Sequence, residues 1–212
     1  MKSALLKTVF AILATSMIST AAFAESTMEK IVKTGKLTIA VQTQGPPVSF
    51  VNKAGKRTGL AVELARLFAT DMGVELVVQD YDWKGLIPAL KSGKADMIAA
   101  DMTPTAKRHM QVVFTNPVFF AENIAFALKD KGFKSWSDLN KSGVKVGATQ
   151  ASTYASAITA KMPDATLKEY SGGNPQTVQA VVSGRIEGGV SDRASIAAFI
   201  NDNPKLMVLD GT

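Results

Sequence analysis

The sequence predicts an α/β protein built as two lobes around a ligand crevice. Three observations predict it. Short apolar runs alternate with amphipathic stretches from Leu37 onward. Two such series flank a long extended run over 119–128, and a ten-residue segment of one series is echoed in the other. The echo sets Ser92-Gly93-Lys94-Ala95-Asp96, running on to Asp101, against Ser183-Gly184-Arg185-Ile186-Glu187, running on to Asp192. In each copy a helix ends at Ser-Gly, a basic residue and an acid follow, and a short strand ends in aspartate. Glycine is common where helices stop, so the echo alone is also compatible with coincidence.

The elements follow in order. Leu37 to Val41 reads as a strand, and Leu60, Leu64, Leu67 and Phe68 share one face of a helix that Gly73 stops. Val74 to Val78 is a strand, Trp83 to Lys91 a helix, Met97 to Ala100 a strand and Thr105 to Met110 a short helix. This β-α-β-α-β-α order predicts a largely parallel sheet covered by helices. The second series opens with a helix start at Ser135-Trp136-Ser137-Asp138, then a strand at Val144 to Ala148 and a helix at Ser152 to Lys161. Thr166 to Tyr170 is a strand, Gln176 to Ser183 a helix, Gly188 to Ser191 a strand, Arg193 to Ile200 a helix and Leu206 to Leu209 a final strand.

Residues 1–24 stand outside this fold. Lys2 and Lys7 make a basic start, Val9 to Ile18 is mainly apolar, and Ala22-Phe23-Ala24 has the small-x-small form of a cleavage site. We read a secretory signal peptide cut before Glu25. An uncleaved anchor is the alternative, but the apolar run is shorter than a span needs and is broken by Thr15, Ser16, Ser19 and Thr20. The expectation is a soluble, periplasmic protein.

Composition excludes much chemistry. The 212 residues include no cysteine and one histidine, His109, which rules out disulfides, thiolate nucleophiles, Cys-ligated metal sites and paired-histidine sites. No metal or cofactor is expected. The formal charge of +6 comes from lysines scattered through turns and helix ends, without the clustering that phosphate binding requires, so nucleic acid is not an expected partner.

The candidate chemistry lies at strand ends. Asp101 and Asp192 both follow a strand, where open α/β sheets place their ligand crevices. Thr103-Pro104-Thr105-Ala106-Lys107-Arg108 leads into a helix start, offering free N–H groups for an anion and an arginine suited to a carboxylate. The plainer reading is that Thr105 caps the helix and Arg108 is solvated. Gln150-Ala151-Ser152-Thr153 repeats the hydroxyl pattern in the second series, with ordinary capping again as its plainer reading. An arginine with hydroxyl donors on one side and a carboxylate on the other complements a zwitterion. A free α-amino acid is the simplest such ligand.

These residues carry a resemblance. Gly59 to Leu64, Trp83-Lys84-Gly85-Leu86-Ile87-Pro88-Ala89-Leu90, the Thr-x-Thr-x-x-Arg run at Thr103 to Arg108, Phe114-Thr115-Asn116-Pro117, and Val146-Gly147 before Ser152-Thr153 stand in the order of one family. The chain resembles the polar amino-acid-binding periplasmic receptors of ABC importers. That resemblance implies a two-lobed, type II periplasmic-binding-protein-like fold, with lobe 1 over 25–120 and a hinge strand plus lobe 2 over 121–212. It implies a monomer that captures a free amino acid in its cleft and delivers it to a membrane permease, without catalysis. Thr103 and Arg108 would hold the ligand carboxylate, assisted by Thr153 beside Ser152. Asp192 and the main-chain carbonyl of Asp101 would take the ammonium, and Trp83 would form an aromatic wall.

Departures from the family pattern are also legible. Pro46-Pro47-Val48 stands where Pro-Pro-Phe is frequent, and Gly45 replaces an aromatic, leaving Phe50 to line that region. Asp101 and Ala151 each replace a frequent glycine. Gln44, Thr149, Gln150 and Ser191 are candidate polar specificity residues. The chain stops near where a return crossing to lobe 1 would begin, so a C-terminal truncation that uncovers apolar surface on lobe 1 is expected. Two rivals remain open: a cyclohexadienyl or arogenate dehydratase-like enzyme using Asp101 and Glu122, and a sensing module of a larger protein.

Overall fold

A computed structural model describes residues 25–43 and 45–211. The signal-peptide reading of 1–24 and the specificity reading of Gln44 lie outside the described residues. The chain forms two α/β lobes, each with its own sheet.

In the first lobe, helix α1 (Thr27–Thr34) precedes strand β1 (Lys36–Val41). A small antiparallel hairpin of β2 (Phe50–Val51) and β3 (Arg57–Thr58) leads to α2 (Leu60–Asp71) and β4 (Glu75–Asp80). A 3-10 turn (Trp83–Gly85), α3 (Leu86–Lys91), β5 (Met97–Ile98) and α4 (Ala106–His109) follow. Strands order as β4-β1-β5, all parallel, as the alternation predicts. Side chains alternate across β1. Leu37, Ile39 and Val41 pack with Val62, Ala65 and Ala69 of α2, whereas Ala40 on the other face meets Trp83, Leu86 and Ala89.

The predicted face of α2 is corrected. Its buried stripe is Val62, Ala65 and Ala69, and Leu60, Leu67 and Phe68 are exposed. Small residues let the helix sit close against β1, which turns the bulkier stripe outward.

The second lobe begins after 112–122, which carry no helix or strand. The predicted extended run therefore shortens to β6 (Asn123–Leu128). Helix α5 (Trp136–Leu139), β7 (Lys145–Thr149), α6 (Thr153–Lys161), β8 (Thr166–Tyr170) and α7 (Gly173–Val182) follow. The lobe closes with β9 (Gly188–Asp192), α8 (Arg193–Asp202) and β10 (Leu206–Val208). The strand order is β10-β6-β9-β7-β8. This sheet is mixed: β7 runs parallel to β8 and β9, but β6 is antiparallel to both β9 and β10. Strand β6 enters the sheet directly from the first lobe, without a crossover helix, so nothing forces it parallel.

β6 divides the second core. Ala125 and Ala127 face Trp136, Leu139, Tyr154 and Ile158, while Ile124 and Phe126 face Val178, Val181 and Ile196. Burying a side chain such as Phe126 contributes about 1.5–3 kcal/mol. Among the described residues no helix is long and apolar enough to cross a membrane.

Candidate ligand-binding cleft

Arg108 organises the first-lobe wall. Thr105 caps α4 by accepting the Arg108 N–H on its hydroxyl at 3.3 Å, as its plainer reading has it. The solvated reading of Arg108 is corrected, because its side chain lies in the cleft and the residue is only 9% exposed. Nη1 donates to the Thr103 carbonyl at 2.9 Å and Nη2 crosses to the Ala151 carbonyl of the second lobe at 3.3 Å. Its Cζ stands 5.6 Å from the centre of the Trp83 ring, a cation–π contact that fixes both groups. Burial pulls the guanidinium below its ordinary pKa, while Tyr154 and Asp101 act in the opposite sense. It nonetheless remains a cation at neutral pH.

The second-lobe wall is the turn between β7 and α6. Ala151 has φ 58, the left-handed region, and its N–H donates to Glu169 Oε1 at 3.0 Å. Ser152 is buried and its hydroxyl is committed: it caps α6 by accepting the Ala155 N–H at 3.2 Å and donates to the Thr149 carbonyl at 2.6 Å. Thr153, the first residue of α6, lines the cleft half-buried.

Asp192 ends β9 and is fully buried. One carboxylate oxygen caps α8 by accepting the Ser195 N–H at 2.7 Å, and the other accepts the Tyr154 hydroxyl at 3.3 Å. Burial above all, then the charges of Asp101 and Asp192, push the Tyr154 phenol well above its ordinary range.

A cavity of about 510 Å³ opens between the lobes. Trp83, Met102 and Arg108 line it from one side and Thr153, Ser156 and Glu169 from the other. Asp101 and Asp192 do not line this opening. Thr103 is exposed and gives Arg108 its carbonyl rather than its hydroxyl. Phe50 lies half-buried in the β2–β3 hairpin, off the cavity wall. Glu122 is corrected as a cleft acid: it is exposed and paired with Arg193, and that hydrogen bond holds its carboxyl below the usual range.

The sequence reading missed three participants. Gln42, just past β1, is 4% exposed and its Nε2 donates across the cleft to the Ser171 carbonyl at 3.1 Å. Its signal was a polar residue closing an apolar strand on the crevice edge. Tyr154 and Glu169 had no signal of their own, since their partners Asp192 and Ala151 are distant in sequence.

A sequence profile described as bacterial extracellular solute-binding proteins, family 3, matches residues 37–207. The chain belongs to that family. Among family 3 relatives, the probable histidine-binding protein of Campylobacter jejuni is 35% identical over 155 residues, 72% of this chain and 58% of that protein. The arginine-binding extracellular protein ArtP of Bacillus subtilis is 36% identical over 121 residues, 56% of this chain and 48% of its own length. The chain thus spans about half of these relatives. The crystal structure of the ancestral amino acid-binding protein AncCDT-1, a precursor of cyclohexadienyl dehydratase, matches with a TM-score of 0.81 at 34% identity. That match covers 88% of this chain and 82% of the other. The P235GK mutant of ArgBP from T. maritima matches with a TM-score of 0.82 at 30% identity, over 88% and 81% of the two chains. These neighbours share the two-lobed fold.

Proposed function

We propose that this family 3 protein captures a free amino acid between its lobes and presents the closed form to the permease of an ABC importer. The observation that carries this reading is the placement of Arg108 and Trp83 on the first-lobe wall of an inter-lobe cavity that Thr153 lines from the second lobe, with the buried carboxylate of Asp192 in that same lobe. A guanidinium is the natural partner of an α-carboxylate, and a buried aspartate that of an α-ammonium. Thr153 adds a hydroxyl at the mouth of α6. Closing the lobes around the zwitterion excludes water and strengthens both pairings.

The relatives' names, histidine-, arginine- and cystine-binding among them, support an amino-acid ligand. The family's description as extracellular supports export, for which we read residues 1–24 as the signal, and we take the protein to act as a monomer without catalysis. The dehydratase-like alternative is weakened by Glu122, whose exposed ion pair with Arg193 leaves it poorly suited to donate a proton in the cleft.

Calorimetry with the twenty amino acids tests the proposal. At least one should bind, and Arg108→Ala or Asp192→Ala should each cost about 2–5 kcal/mol, as truncation of a buried charged partner does. Unchanged affinity in both variants overturns it.

A further inference from the structure

We propose that Gly45 and Phe199 are positioning residues for ligand capture: the bare backbone of Gly45 on the first lobe is the seat on which Phe199 of the second lobe closes, and their fit sets amino-acid affinity from outside the cavity. The inference rests on the amino-acid reading above. Gly45 is buried, has φ 102 and lies in a turn that is tied down at both ends. Its N–H donates to the Ser49 carbonyl at 3.1 Å, and its carbonyl accepts the Val48 N–H at 3.2 Å. The Pro47 and Val48 carbonyls accept the N–H groups of Leu60 and Ala61 at 2.9 and 3.1 Å, which fastens the turn to the start of α2. The seat therefore moves with the first lobe.

A β-carbon on Gly45 would stand 2.9 Å from both Cε2 and Cζ of Phe199. Carbon atoms in contact pack at about 3.5–4.0 Å, so even one methyl group overfills the space. Phe199 lies on α8 and its ring packs against the second-lobe core that holds Val178, Ile196 and Leu206. Making room means pulling the ring out of that packing or moving the lobes apart. Close approach recurs beside it: a β-carbon on Gly173, at φ 70 where α7 begins, would come within 3.1 Å of the Thr43 carbonyl oxygen. Next to that, Gln42 donates to the Ser171 carbonyl. None of these residues lines the cavity. A contact made only when the lobes are together acts on binding through the closed fraction, because the apparent Kd is the intrinsic Kd divided by the fraction competent to bind.

Small-angle X-ray scattering of the ligand-free chain and calorimetry with each of the twenty amino acids test this together. Gly45→Ala should enlarge the radius of gyration and weaken every amino acid that the unmodified chain binds by about tenfold. Phe199→Trp crowds the same seat with the glycine intact and should act alike, which decides the matter should Gly45→Ala fail to fold by circular dichroism. Phe199→Leu lacks the outer ring edge, so adding it to Gly45→Ala should restore the radius and bring affinity back to within about threefold. Gly143→Ala places the same backbone strain at φ 85, with nothing within 4 Å of the new β-carbon, and should lower stability while leaving radius and affinity unchanged. Unchanged radius and affinity in both Gly45→Ala and Phe199→Trp, or losses that Phe199→Leu does not relieve, overturn the inference and leave amino-acid capture standing. If no amino acid binds the unmodified chain, the capture reading falls, and the radius alone then decides whether this contact positions the lobes.

Discussion

The Arg108 guanidinium donates from Nη2 to the Ala151 carbonyl at 3.3 Å, tying the first lobe to the turn that opens helix α6. In the function proposed above the same side chain would meet the ligand carboxylate, so that ligand capture and lobe closure would share one group. Arg108→Lys keeps the charge but loses the planar fork that reaches two carbonyls at once. It should weaken amino-acid binding by about 2 kcal/mol or more in calorimetry. A lysine variant with full affinity would mean the fork is not used.

Ala151 holds a left-handed conformation at φ 58, which costs an L-residue roughly 1–2 kcal/mol relative to glycine. Ala151→Gly should therefore stabilise the chain by about 1 kcal/mol in urea denaturation, less what glycine loses in the unfolded state. A lower midpoint for the variant counts against the strain.

Gln42 spans the cleft to the Ser171 carbonyl. Gln42→Ala removes that bond but also a buried acceptor lacking a partner, so global stability should change by less than about 1 kcal/mol. The ligand-free protein should nevertheless open, giving a larger radius of gyration in X-ray scattering. The same radius in both proteins would show that this bond does not hold the lobes together.

Tyr154 predicts an alkaline dependence. Burial, then Asp101 and Asp192, raise its folded pKa above the ordinary 10.0. Its contribution to stability is fully present below the unfolded value and is lost as pH rises through the folded one. Thermal melts from pH 8 to 11 should fall less steeply for Tyr154→Phe than for the unmodified chain. Parallel curves would exclude this coupling.

Phe126 is fully buried between β6 and the helices α7 and α8. Phe126→Ala should destabilise the chain by about 3–5 kcal/mol, read from chemical denaturation. A loss under 1 kcal/mol would show that the second lobe collapses around the cavity.

Local rules made much of this architecture legible. The first-lobe strands β1, β4 and β5 and the second-lobe helices α6 to α8 lie within a few residues of their predicted positions, because period and capping are properties of neighbouring residues. Thr105 and Ser152 behave as their capping patterns foretold. The outward turn of Leu60, Leu67 and Phe68 was not legible, since periodicity marks an apolar face without saying which of two faces packs.

The sequence by itself determined the two α/β series, the absence of thiol chemistry, the positions of Asp101 and Asp192 at the carboxyl ends of strands, and that of Arg108 in the short helix after β5. Only the tertiary structure decided that Gln42 meets Ser171, that Glu169 secures Ala151, and that the Tyr154 hydroxyl meets Asp192. Those relationships join residues distant in the chain: the first depends on how the two lobes meet, the other two on how the strands and helices of the second lobe pack. No local periodicity or capping pattern encodes them.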